Sequence, residues 1–142
     1  MTDSKSIRVL IADDFKLLRD VIRLSLQRAA DMVVIDEALD VTDALESARA
    51  LRPDIIIMND YLPPIDSANA SALFREQGVN AAILVISMQI DPAQIQHSFL
   101  SGANGFMNKD EIDENLVDAV RRIHQGERYL SPTAKDVYGS SD

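Results

Sequence analysis

Short, mostly apolar runs alternate along this chain with longer stretches in which apolar residues recur every three or four positions. The runs at 7–12, 32–35, 55–58, 82–86 and 104–107 are too short for buried helices. They have the form of strands covered on both faces, as in a parallel sheet. Helical patterns fill 15–29, 41–51, 66–77 and 111–125, and another runs from Asp91-Pro92 to Gly102. In the first, Leu18, Val21, Ile22, Ser25 and Ala29 make a stripe of mostly apolar residues; in the last, Ile112, Leu116, Ala119, Val120 and Ile123 do so. Gly78, Gly102 and Gly126 stand where helices should stop. Asp91-Pro92 suits a helix start, with Asp as cap and Pro in the first turn. Five strands alternating with five helices predict an α/β fold with one parallel sheet and helices on both faces, over residues 7–126. Residues 127–142 are expected as a C-terminal tail or linker, with apolar spots at Tyr129-Leu130 and Val137-Tyr138.

Composition narrows the function classes. The chain has 142 residues, 46% of them hydrophobic, enough for one packed domain. Its net charge of −9 would be repelled by a phosphate backbone, so direct DNA binding is not expected. No apolar run approaches the length of a membrane span, and the first six residues lack the apolar core of a signal peptide. The absence of cysteine removes disulfides, thiolate metal sites and cysteine nucleophiles, and fits a cytoplasmic protein.

In a parallel sheet the strands' carboxyl ends share one edge, where ligands bind. That edge would collect Asp13 and Asp14 from the first strand, Asn59 and Asp60 from the third, Ser87 from the fourth and Lys109 from the fifth. Carboxylates there suit Mg²⁺, which takes a few carboxylate oxygens and water. A hydroxyl and an ammonium suit a phosphoryl group. Each residue also has a plainer reading. Asp13-Asp14 would serve as a helix cap, Lys109 as a surface lysine and Phe106 as core. His97 and His124 have no carboxylate or histidine partner at ligand spacing and read as structural or exposed.

Four stretches in order carry a resemblance: Val9-Leu10-Ile11-Ala12-Asp13-Asp14, the segment from Pro53-Asp54 to Asp66, Leu84-Val85-Ile86-Ser87-Met88, and the segment from Gly102 to Asp110. Over roughly residues 7–131 the chain resembles the receiver domain of bacterial two-component response regulators, most closely those that precede a LuxR-type helix-turn-helix. The resemblance implies a flavodoxin-like (βα)5 doubly wound sheet of order 2-1-3-4-5. It also implies Mg²⁺ on Asp13 and Asp14, Ser87 as the hydroxyl that follows a phosphoryl group, Lys109 as the cation, and Phe106 as the aromatic coupled to that switch. The expected partners are a sensor histidine kinase or phosphotransfer protein, docked on the first helix, and a second copy of the chain. Ile90, Ile95, Phe99 and Tyr129 are the expected exposed contacts of such a homodimer. A LuxR-type receiver continues into a DNA-binding domain; no second domain follows within these residues.

The chain departs from that family at the acceptor position. Counting from Pro53 to Pro63, the phospho-acceptor aspartate falls at position 59, which is Asn59. An uncharged amide is a poor nucleophile and weakens the metal site by one negative charge. Asp60 is next in line, but in a regular strand its side chain points away from Asp13 and Asp14. A one-residue bulge would re-aim it. Three readings stay open: a pseudo-receiver working through protein–protein contacts, an active receiver phosphorylated on Asp60, and a phosphorylatable receiver whose aspartate at 59 has been replaced by asparagine. Pro64 stands where the family commonly has glycine, which stiffens the loop and favours the non-switching reading. A flavin-binding relative is disfavoured because Asp13-Asp14 would repel the flavin phosphate, and no second motif supports an aspartate-based phosphatase.

Overall fold

The computed structural model describes residues 6–138. The expected tail, 127–142, lies partly outside these residues. Eight strands form in chain order: β1 (Ile7–Ala12), β2 (Met32–Ala38), β3 (Ile55–Asn59), β4 (Tyr61–Leu62), β5 (Ile65–Asp66), β6 (Ala82–Ser87), β7 (Gly105–Asn108) and β8 (Tyr129–Leu130). The α-helices are α1 (Lys16–Gln27), α2 (Val41–Leu51), α3 (Ser67–Glu76), α4 (Pro92–Leu100), α5 (Ile112–His124) and α6 (Pro132–Tyr138). A 3-10 turn, Lys109–Glu111, leads into α5.

The main sheet has the order β2-β1-β3-β6-β7-β8, and every pairing in it is parallel. Its first five strands follow the expected 2-1-3-4-5 order. The sixth corrects the expectation of five. Residues 127–138, expected as a tail, instead supply β8 and α6. The apolar pair Tyr129-Leu130 becomes a strand because it docks on β7, with Gly105 opposite Tyr129 and Phe106 opposite Leu130. Gly105 leaves room for this approach, since a Cβ there would lie 2.7 Å from Ile123 and 3.3 Å from Tyr129. β2 also runs three residues beyond its apolar run. It is an edge strand, and there Asp36 accepts from Ser47 and the half-buried Glu37 pairs with Arg19 and Arg23.

Alternation along the strands builds two apolar layers. Leu10, Ile56, Met58, Ile83, Val85 and Phe106 face α2, α3, α4 and α6. Val9, Ile11, Ile55, Ile57, Leu84, Ile86 and Met107 face α1 and α5. β3 lies between β1 and β6, and Ile55, Ile56, Ile57 and Met58 are all fully buried. Beyond it, β4 and β5 form a small antiparallel hairpin around Pro63-Pro64, held to α2 by the Val41 N–H on the Pro63 carbonyl at 2.9 Å.

The expected dimer contacts are not exposed. Ile95, Phe99 and Tyr129 are buried, and Ile90 is half-buried against the same layer. The cause for α4 is α6: Ala134 is fully buried, Tyr138 tilts against the Phe99 ring, and the Arg128 guanidinium lies 4.3 Å from the centre of that ring. Phe99→Ala should therefore lower the unfolding free energy by about 3 kcal/mol, measured by urea denaturation. A loss below about 1 kcal/mol would mean that α6 contributes little to holding α4.

Candidate functional site

Strand parity sorts the polar residues at the carboxyl edge. Asp13 is in phase with Ile11, and Asn59 with Ile57, so both belong to the layer of α1 and α5. Lys109 is in phase with Met107 and lies beside Phe15, Leu17, Leu18, Val21 and Ile112. Asp60 and Ser87 are in phase with Met58 and Val85, on the opposite layer with Phe106. β3 keeps its register with β6 up to Asn59 opposite Ile86, without a bulge, and Asp60 occupies a bend just after it.

Asp13 is almost completely buried. Its Oδ1 accepts from the Phe15 N–H at 2.8 Å, its carbonyl accepts from Arg19 at 2.9 Å, and its Oδ2 is buried with no hydrogen-bond partner. Its pKa is raised from 3.8 to about 6, first by burial and further by the carboxylates of Asp14 and Asp60; the Phe15 N–H and Arg19 act the other way. Asp14 itself is exposed. Asn59 is half-buried, and its Oδ1 accepts from the Asp60 N–H at 2.9 Å. Ser87 is fully buried; its hydroxyl lies 2.7 Å from Asp60 Oδ2 and 2.8 Å from the Gln89 carbonyl, and it accepts from the Gln89 N–H at 3.1 Å. Lys109 is half-buried and, among the described residues, forms no ion pair. Phe106 is fully buried, and its carbonyl accepts from the Ser131 N–H. His97 and His124 are exposed.

The structure thus brings Asp60 to Ser87 and close enough to Asp13 to act on its charge. It does not bring Lys109 into a salt bridge with either. The partners of Ser87 contributed by Gln89 are backbone groups, which carry no side-chain signal in a sequence. The orphaned Asp13 Oδ2 fits a hard cation, which Asp13 and Asp14 would hold with water completing the shell. Among the described residues no three acidic, histidine or cysteine side chains cluster tightly enough to hold one alone.

Acidic groups, a buried hydroxyl and a lysine at the carboxyl edge of a doubly wound parallel sheet are what the resemblance to two-component receivers implies. The model of the response regulator receiver domain matches residues 9–121, and the chain belongs to that family. It is 32% identical over 126 residues to the oxygen regulatory protein NreC of Staphylococcus carnosus, covering 88% of this chain and 58% of that protein. It is 30% identical over 129 residues to the probable transcriptional regulatory protein NarL of Mycobacterium tuberculosis, covering 91% and 60%. The chain therefore spans less than two thirds of these relatives. A LuxR-family two-component response regulator from Aurantimonas sp. SI85-9A1 superposes with a TM-score of 0.90 at 28% identity, covering 96% of this chain and 97% of that one. The NarL receiver domain of M. tuberculosis superposes at 0.82 and 30% identity, covering 87% and 99%. No helix among the described residues is long and apolar enough to cross a membrane.

The raised pKa of Asp13 makes stability depend on pH. The folded state holds the proton more tightly than the unfolded one, so folding is helped at low pH. That help is lost as pH rises from about 4 through about 6. The full effect is about 3 kcal/mol. In chelated, metal-free buffer Asp13→Asn should match the parent near pH 4 and exceed it in melting temperature at pH 8. Mg²⁺ should raise the parent's melting temperature more than the variant's. Equal pH profiles for the two proteins would show that Asp13 is not destabilised by its burial.

Proposed function

We propose that this chain is a receiver module that signals by binding other proteins and takes no phosphoryl group at position 59. The observation that carries this reading is the place of Asn59. It follows the last buried residue of the central strand, on the layer of Asp13 and Lys109, with its Oδ1 already engaged by the Asp60 N–H. An amide there presents no anionic oxygen to phosphorus. Asp60 does not replace it on that layer, because its carboxylate is turned to Ser87. Asp13 and Asp14 remain able to hold Mg²⁺, and the lost charge at 59 weakens that site. The partner is a sensor histidine kinase or phosphotransfer protein. It would meet Phe15, Leu17, Val21 and Leu24, whose apolar side chains α1 and its approach leave exposed. Dimerisation through α4 is disfavoured by the burial of Ile95 and Phe99 beneath α6.

A second reading has one observation in its favour. Asp60 is half-buried, lies beside the Ser87 hydroxyl and acts on Asp13, so it has some of the surroundings a phospho-acceptor needs. Incubation with Mg²⁺ and acetyl phosphate, read by intact mass and peptide mapping, separates the two. The parent should gain no phosphate, and Asn59→Asp should gain one on the new carboxylate. A phosphate on Asp60 of the parent would sink the first reading and establish the second.

A further inference from the structure

Asp60 stands in the bend just past the end of β3. Its backbone is fixed on three sides. The N–H donates to the Ile86 carbonyl and to Asn59 Oδ1, each at 2.9 Å, and the carbonyl accepts from the Ser67 N–H at 2.9 Å. β6, the neighbouring amide and the first turn of α3 therefore aim this carboxylate. Its Oδ2 lies 2.7 Å from the hydroxyl of Ser87, the last residue of β6. Ser87 has one proton and two acceptors in reach, Asp60 Oδ2 and the Gln89 carbonyl. Charged acceptors make the stronger bond.

We propose that Asp60 is the positioning residue of the loop between β6 and α4: its carboxylate is a resident anionic partner of Ser87 and fastens residues 88–91 to the end of β3. The proposal rests on the reading of Asn59 above, in that Asp60 is taken to carry no phosphoryl group. The loop it holds leads directly to α4. Gln89 donates its N–H back to Ser87 Oγ, and Asp91 caps α4 through the Ala93 N–H. From there α4 carries Ile95 and Phe99 into the layer shared with α6. The adjacent pair Asn59-Asp60 thus divides its chemistry between the two layers. The neutral amide is in phase with the layer of Asp13, where another charge would be costly. The carboxylate faces a buried hydroxyl, where a charge is useful. One consequence is that the loop and α4 keep a single arrangement without any phosphodonor.

Amide hydrogen exchange on the intact chain, without phosphodonor, tests the proposal. Asp60→Ala should speed exchange at 88–91 roughly tenfold or more. Ser87→Ala should do the same, and the double variant should add little to either. Ser87→Thr, which restores the hydroxyl, should remain within about twofold of the parent, and Asp60→Asn, which keeps the shape without the charge, should fall between. Unchanged exchange in Asp60→Ala overturns the proposal, and so do additive effects of the two substitutions. An equal rise in α1 and α5 also overturns it, because that reports general loss of stability and not release of one loop. Because no donor is present, a phosphate later found on Asp60 would defeat the reading of Asn59 and leave this result standing.

Discussion

β3 is paired on both edges and covered on both faces, so each of its residues has to belong to one of two apolar layers. Burying an isoleucine or methionine side chain contributes about 1.5–3 kcal/mol, and four such residues run in succession here. A slip of one position would exchange the layers of all of them. The phase of the strand is therefore fixed before its polar end is reached. Asn59 and Asp60 inherit that phase and take opposite sides. The chemistry at the carboxyl edge follows from packing four residues earlier, because a strand cannot turn one side chain without turning its neighbours.

The same constraint explains why the two sides differ in charge. On the side of Asp13 the carboxylate is buried, one oxygen is unpartnered and two other acids bear on it. A further carboxylate at 59 would add to that repulsion unless a cation were bound. Asparagine adds no such charge, and on the proposed reading it also presents no nucleophile. On the other side, the charge of Asp60 meets a hydroxyl and stabilises it. The Asp60 charge gains the Ser87 hydroxyl, and it also bears on Asp13 and helps to raise that group's pKa.

Much of this was legible in the sequence. The first five strands of the main sheet and their order follow from the apolar runs and the family resemblance, and the inward residues of α5 follow from spacing alone. Alternation also puts Asp60 out of phase with Asp13, although its charge still bears on Asp13. It did not say what Asp60 would meet, because Ser87 lies 27 residues on and the contact depends on the pairing of β3 with β6. The strand and helix within 127–138 are not legible in the sequence for a related reason. Tyr129-Leu130 is too short to announce a strand, and a helix of seven residues is too short to be stable by propensity. Both exist only because a surface was waiting for them. Spacing marks Ile95 and Phe99 of α4 as one apolar face without naming what covers it, and in the structure α6 covers it.

What covers α4 also decides how the site relates to the end of the chain. β8 and α6 are attached to β7 by the Ser131 N–H on the Phe106 carbonyl and by the Asn108 N–H on Ser131 Oγ at 3.1 Å. Glu111 accepts from both the N–H and the hydroxyl of Thr133 at the start of α6. Phe106 therefore touches two things at once: its side chain fills the layer of Ser87 and Asp60, and its backbone carries α6. The layer of Asn59, Asp13 and Lys109 instead faces α1, whose outer apolar side chains remain open. Two consecutive residues at the end of one strand thus address two different surfaces, one leading to α1 and the other through α4 to α6. A change at Asp60 would reach both, through its bond to Ser87 and through its charge on Asp13.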